Sequence, residues 1–173
     1  MDLKIMVNPY KGDKNSTRIC SVDLEFDHSL RIDGFFIWTG DDKRIHLVSP
    51  KYVADTFDPD GNFEKKSAVT FKDLRLRDEI IREAREMVEN SPEEPSEKII
   101  RFPVGDFHID GKTVRYHTIS VGNAVEIHGI VAIKGEKGKE VKLPAGRAHG
   151  KDKEIITFTD METAKKLYQK IKV

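Results

Sequence analysis

The sequence predicts an α+β fold of two tandem repeats, each an antiparallel β-meander followed by one C-terminal helix, paired as an intramolecular pseudo-dimer. Three observations lead to this prediction. LRIDGFFIWTGDD at 30–42 is echoed by VEIHGIVAIKGEK at 125–137, including the glycine in mid-strand. VTFKDL at 69–74 recurs as ITFTDM at 156–161, each time before a pattern of helical period. Between these markers, apolar and polar residues alternate as in half-buried strands.

The first repeat shows this order most clearly. Its elements are strands at 18–28 and 29–38, a hairpin turn at 39–44, a return strand ending at Pro50, a polar loop at 51–67 and a helix at 73–89. Gly34, in mid-strand, predicts a bulge or a close backbone approach. The helix places Leu74, Ile81, Ala84 and Val88 on one apolar stripe.

The second repeat follows the same order with a shorter loop. Its elements are a hairpin at 113–134, a turn at 135–139, a return strand at 140–144, a loop at 145–154 and a terminal helix in the stretch 155–171. Thr159 and Glu162 have the spacing of a capping box. The prolines of NSPEEPSE predict a linker, so the boundaries are 1–90 for the first repeat, 91–97 for the linker and 98–173 for the second repeat.

Composition indicates a globular protein. The 173 residues are 35% charged and 38% hydrophobic, and no apolar run approaches the roughly 20 residues that a spanning helix needs. One cysteine, Cys20, and no signal-peptide pattern predict a cytoplasmic protein, with Cys20 as a small buried apolar residue. Residues 1–90 carry 15 basic and 18 acidic side chains, and residues 91–173 carry 15 and 12, so any nucleic-acid surface must be local.

The first repeat resembles the stage V sporulation protein G family, bacterial proteins also called septation regulators. The likeness covers residues 1–88 and includes RICSVDLEFDHSLRIDGFFI, the turn GDD and SPKYVADTFDPDGNF. The resemblance implies an α+β fold in which two protomers join edge strands. It also implies site-selective binding of DNA or RNA by a dimer, through basic residues after Ser49 and on the helix. Lys51, Arg75 and Arg82 occupy such positions.

The chain departs from the family pattern at several positions. Tyr52 stands where the family has a second basic residue, and Asp55, Asp58 and Asp60 make the loop acidic. The second repeat lacks the P-x-G-x-F stretch that the first repeat has at 59–63. These departures leave a second hypothesis open: a protein–protein interaction module on the same scaffold that has lost nucleic-acid binding.

No catalytic or metal-binding pattern is recognisable. The six histidines show neither His-x-x-x-His spacing nor cysteine partners, and the glycines of GEKGK belong to a turn rather than to a phosphate-binding loop. The sequence therefore predicts no enzyme, no metal and no cofactor.

One stretch, 134–153, is locally basic, with seven lysines and arginines against three acidic residues. On a hairpin tip and the adjoining loop, such charges could follow a phosphate backbone; the alternative is a solvated lysine-rich edge that discourages aggregation. Few aromatic residues lie nearby, so no stacking platform for single strands is indicated. The candidate phosphate-contacting residues are Lys51, Arg75, Arg82, Lys139, Lys142, Arg147 and Lys151. The expected partners are DNA, RNA or another protein, and no membrane, with the chain a monomer or a homodimer.

Overall fold

The fold is mostly β. In the computed structural model, which describes residues 1–13, 15–113, 116–148 and 151–173, 54% of the chain is strand and 16% is helix. The described residues form fifteen strands in three sheets and two helices. The predicted fold class, α+β with two meander-plus-helix repeats, is therefore wrong.

The elements follow one another with short connections. The first half contains β1 (Asp2–Pro9), β2 (Arg18–Phe26), β3 (Leu30–Thr39), β4 (Ile45–Val48), β5 (Lys51–Phe57), β6 (Phe63–Ser67), β7 (Val69–Phe71) and α1 (Leu74–Asn90). The second contains β8 (Ser96–Arg101), β9 (Phe107–Thr113), β10 (Tyr116–Val121), β11 (Val125–Gly135), β12 (Gly138–Lys142), β13 (Ala145–Ala148), β14 (Lys151–Glu154), β15 (Ile156–Phe158) and α2 (Met161–Lys170).

The strands belong to three sheets, two of which correspond roughly to the two halves of the chain. The first sheet has the order β15-β3-β2-β1-β8, with β4 also paired to β3. The second has the order β12-β11-β10-β9, with β7 paired to β11. The third, which we call the bridging sheet, has the order β14-β13-β5-β6 and takes one hairpin from each half.

The two halves exchange their last strands, and this exchange overturns the picture of separate modules. β7 of the first half pairs with β11, with Val69 opposite Ile127. β15 of the second half pairs with β3, with Ile156 opposite Ile32. All four side chains are buried. Each of these short apolar strands is therefore covered by the other half of the chain.

The polar segments predicted as loops are the hairpins of the bridging sheet. The segment 51–67 contains β5 and β6, and 145–154 contains β13 and β14; His149, in the second segment, lies outside the described residues. Only one face of these hairpins is apolar: Tyr52 and Ala54 are buried, while their neighbours on β5 are exposed. Charged outer faces and central turn residues made the strands look like loops.

Glycines in the middle of β3 and β11 let the bridging sheet approach the other two. Gly34 has φ +100°, and the β2–β3 ladder shifts register opposite it, so the predicted bulge is confirmed. A Cβ at Gly34 would lie 3.1 Å from the Cβ of Ala148 on β13. Gly129 has φ +85°, and a Cβ there would lie 2.9 Å from the ring of Tyr52 on β5. Each glycine therefore accommodates a strand contributed by the other half.

Both helices form near their predicted positions, with differences in detail. Asp73 caps α1 by accepting from the backbone N–H of Arg75. Leu74 is 53% exposed, so its predicted place on the apolar stripe is wrong. The cap of α2 is Asp160, not Thr159, because the Asp160 carboxylate accepts from the N–H of Glu162. The predicted linker is shorter than expected, since β8 begins at Ser96 and pairs along β1.

An ionic network around the buried carboxylates of Asp23 and Asp33 also joins the halves. The Asp33 carboxylate accepts from Arg31 Nε at 2.6 Å and from Lys153 Nζ of β14 at 2.8 Å. Arg31 also donates to Asp23 at 3.2 Å. Burial by itself would raise the pKa of Asp33, but the hydrogen bonds from Lys153 and Arg31 outweigh it and hold the pKa below its usual value. Asp33 is therefore ionised in the folded protein at neutral pH.

The core is continuous across the halves and includes Cys20. This side chain is fully buried, as predicted, and burial raises the pKa of its thiol to about 12. The thiol is therefore protonated and unreactive at neutral pH. In the part of the chain that the structure describes, no helix is both long and apolar enough to cross a membrane.

Candidate nucleic-acid interface

The bridging sheet has a dry face and a wet face. Tyr52, Ala54 and Ala148 are buried against the other sheets. Because side chains alternate along a strand, Lys51 and Val53 of β5 and Arg147 of β13 lie on the opposite side, and all three are exposed. We call this side the outer face.

Cationic side chains from both halves meet on the outer face. Gly146 pairs with Tyr52 in the antiparallel β13–β5 ladder, which places Arg147 across from Lys51. On the other side of β5, Val53 pairs with Lys65 of β6. Lys51, Lys65 and Arg147 therefore lie on three adjacent strands about 5 Å apart. Lys51 and Arg147 were predicted from sequence, and Lys65 was not.

An open cleft of about 1660 Å³ runs along the bridging sheet and is lined in part by the first and second sheets. Its walls carry more basic than acidic side chains. Apart from Lys153, which is held by Asp33, the basic residues are Lys11, Arg18, Lys51, Lys65, Lys142 and Arg147, and the acidic residues are Asp55, Asp152 and Glu154. The cleft is thus electropositive in a chain whose net charge is zero.

The acidic residues of the cleft are partly occupied within the protein. The hydroxyl of Tyr116 donates to the Asp55 carboxylate at 2.7 Å. Asp152 lies across the β13–β14 ladder from Arg147, and Glu154 across from Ala145. These contacts place two of the acids on β14, toward one border of the sheet, and leave the β5–β6 side predominantly basic.

Arg18 adds a cation that aromatic rings hold in place at one end of the cleft. Its guanidinium lies 4.5 Å from the ring centroid of Phe36 and 5.9 Å from that of Tyr10. An arginine stacked on rings keeps its hydrogen-bond donors oriented for a planar or phosphate ligand. Arg18 was not predicted from the sequence. It begins β2, and Tyr10 directly follows the end of β1, which becomes informative only once the pairing of the two strands is known.

A pair of exposed phenylalanines lies at the turn of the β5–β6 hairpin. Phe57 is 62% exposed and Phe63 is 55% exposed. Their rings are stacked, with centroids 4.8 Å apart and 24° between planes. Phe63 also lines the cleft. The polar residues of this segment predict a loop, so the pair was not predicted, although both residues flank the DPDGN turn.

The predicted residues of α1 are not part of the cleft lining. The Arg75 guanidinium donates to Asp73, the cap of the same helix, at 3.1 and 3.2 Å. The Arg82 guanidinium donates to three carboxylates of α1, namely Glu79, Glu83 and Glu86. Since each arginine already has carboxylate partners, neither presents an uncompensated positive charge to a ligand.

The predicted residues of the second half divide between two roles. Lys139 Nζ donates to the carbonyl oxygens of Tyr168 and Ile171, at the C-terminal end of α2, the latter at 2.8 Å; such a contact stabilises the helix end. Lys142 lines the cleft. Lys151 is exposed on β14, opposite Ala148, and is outside the cleft lining. The structure therefore brings together Lys51, Lys142 and Arg147.

Two histidines, His117 and His128, have hydrogen-bond partners within the fold. His128 lies between Thr70 and Thr118, with ring nitrogens 2.8 and 3.4 Å from their hydroxyls, and burial lowers its pKa. His117 Nε2 is 2.7 Å from the carbonyl oxygen of Lys172. Among the described residues, no group of three His, Cys, Asp or Glu side chains is arranged to hold a metal ion.

A search of family models, curated proteins and solved structures finds no match for this chain. The interface is therefore interpreted from its own geometry.

Proposed function

We propose that this chain is a non-enzymatic nucleic-acid-binding regulator of the stage V sporulation protein G type. In this proposal the outer face of the bridging sheet and the adjoining cleft contact the phosphate backbone. The observation that carries the proposal is the convergence of Lys51, Lys65, Lys142 and Arg147, from both halves of a neutral chain, in one cleft. Lysine and arginine supply the sequence-independent part of nucleic-acid affinity.

The proposal assigns different weights to the candidate residues. Lys51 and Lys142, together with Lys65, provide the main phosphate contacts, and Arg147 lies beside them across the β13–β5 ladder. Arg75, Arg82 and Lys139 stabilise the helices through the contacts described above, and contribute little to binding. Base recognition is a separate matter, because phosphate contacts fix position and affinity without reading sequence.

The first prediction concerns the salt dependence of binding. Titration of the protein into fluorescently labelled DNA and RNA, over a series of salt concentrations, should give a linear fall of log K with log salt. Neutralising two phosphate contacts in the variant Lys51→Gln/Lys65→Gln should weaken binding to every sequence and reduce the slope by about 2.

The matched control neutralises the two arginines of α1. The variant Arg75→Gln/Arg82→Gln removes the same charge and should keep the wild-type slope. An equal loss of slope in both variants would remove the cleft from the proposal. Absence of binding even at low salt would contradict nucleic-acid binding altogether and favour the protein–protein interaction module.

A further inference from the structure

The stacked pair Phe57–Phe63 has no role in the folding core. Both rings lie outside the buried cluster, and more than half of each side chain is exposed. Exposing two adjacent aromatic side chains is unfavourable in water. Two exposed aromatic rings that stack on each other form a small apolar patch, which suggests a ligand that covers it.

The turn that carries the pair is held by a dense set of hydrogen bonds. The Asp58 N–H donates to the carbonyl oxygen of Asn62 at 2.8 Å. One oxygen of the Asp58 carboxylate accepts from the N–H groups of Asp60 and Asn62, both at 2.9 Å. Gly61, with φ +83°, supplies the left-handed residue that closes the turn. These bonds present the rings in one geometry, so a ligand need not pay for ordering them.

Cations lie beside the rings on the same strands. Phe63 and Lys65 are two residues apart on β6 and therefore share a face, about 7 Å apart along the strand. Lys65 lies directly across from Val53 of β5, and Lys51 is two residues from Val53 along the same strand. A base stacked on a ring and the phosphate of the same or the next nucleotide are separated by a comparable distance. Ring and cation are thus spaced for one nucleotide unit.

Unpaired nucleotides match these features better than a duplex. In a duplex the faces of the bases are covered by their neighbours, and only a terminal pair offers a ring surface. In a single strand every base offers a face to an aromatic side chain, while the phosphates follow a positively charged groove. A sheet with exposed rings and flanking basic residues is suited to that arrangement.

We propose that the outer face of the bridging sheet binds single-stranded nucleic acid, with an unpaired base stacked on the Phe57–Phe63 pair and its phosphates on Lys65 and Lys51. This inference rests on the proposed nucleic-acid-binding function and adds the strandedness of the ligand and the stacking residues. The rings supply affinity for any base, since every base has a face to stack.

The experiment compares an oligothymidine strand of about 15 nucleotides with a blunt-ended duplex of equal phosphate number and without unpaired bases, by fluorescence anisotropy. Wild-type protein should bind the single strand more tightly. The variant Phe57→Ala/Phe63→Ala should lose roughly 5- to 150-fold in single-strand affinity, the range of one stacked base, and keep its duplex affinity. The variant Met161→Ala, which removes an exposed apolar side chain on α2, should bind as wild type does.

A second variant, Phe63→Trp, gives a readout independent of affinity. Its exposed indole should be quenched by the oligothymidine strand and not by the duplex. Equal wild-type affinity for both ligands, or unchanged single-strand binding by the double alanine variant, would overturn the stacking inference and leave the proposed function intact if the salt slope persists. Wild-type protein that binds neither ligand would overturn both.

Discussion

Replacing Gly146 by alanine should lower the free energy of unfolding by about 3 kcal/mol, the upper part of the range for forcing atoms into a packed site. A Cβ at this position would lie 2.0 Å from the carbonyl oxygen of Lys51 and 3.5 Å from the Cα of Tyr52. Both atoms belong to the backbone of β5, so no side chain can rotate away. Relief requires β13 and β5 to separate where Gly146 pairs with Tyr52.

The control is Gly138→Ala, in the turn between β11 and β12. Gly138 has φ +112°, and a Cβ there would meet nothing within 4 Å. Its replacement should cost about 1 kcal/mol through backbone strain alone. Urea denaturation of both variants, followed by circular dichroism, measures the difference. Equal destabilisation by the two substitutions would mean that the close approach of β13 and β5 is not a requirement of the fold.

Removing the carboxylate of Asp33 should also destabilise the protein, by about 2 kcal/mol at neutral pH. Breaking a buried ion pair costs more when the remaining charge cannot reach water. Here Lys153 is 38% exposed and Arg31 keeps Asp23 as a partner. The loss of unfolding free energy should therefore lie below the upper part of the range for broken buried ion pairs. The substitution is Asp33→Asn, which preserves the shape of the side chain.

The effect of Asp33→Asn should depend on pH in a defined direction. The pKa of Asp33 is lower in the folded protein than its usual value, which is about 4. The stability due to this carboxylate is therefore fully present above about pH 4 and is lost as pH falls through the folded-state pKa. Denaturation curves of wild type and variant should therefore converge as the pH falls below the usual carboxyl pKa.

The exposed residue Asp41, in the turn between β3 and β4, provides the matching control. The substitution Asp41→Asn should change the unfolding midpoint little at any pH. A difference in unfolding free energy between wild type and Asp33→Asn that is already absent at neutral pH would show that the carboxylate charge has no part in joining β3 to β14.

Much of the local structure was predictable because it depends on short-range patterns. Alternation in RICSVDLEF identifies β2, and the helix positions follow from the apolar stripes of helical period. The mid-strand glycine predicted a bulge, which the structure confirms. These features depend on side-chain period and on backbone conformation, both of which are written in a few consecutive residues.

The global arrangement was not predictable from the same patterns. The segments 51–67 and 145–154 have charged outer faces and turn residues, so their short apolar faces were too brief to indicate strands. Because these strands were interpreted as loops, the bridging sheet was not predicted, and a fold of three sheets was predicted as two meanders. The pairing of β7 with β11 depends on contacts about 60 residues apart in sequence, such as Val69 with Ile127, which periodicity does not encode.

The candidate site was predicted only in part, because a basic side chain can be recognised in the sequence but its contacts cannot. The family resemblance predicted Lys51, and the local excess of basic residues at 134–153 predicted Lys142 and Arg147. Neither argument could separate these residues from Arg82, two of whose carboxylate partners lie one turn away on the same helix. Phe57 and Phe63 were not predicted as site residues, because an aromatic residue in a segment interpreted as a loop gives no sign of its exposure or its stacking.

The most direct test of the account is amide hydrogen exchange of the full chain with and without a single-stranded oligonucleotide. The account predicts slower exchange in β5, β6 and β13 and at Lys142, with α1 unchanged across Leu74–Asn90. Slower exchange confined to α1, or spread evenly over the chain in the presence of saturating ligand, would contradict a binding face on the bridging sheet.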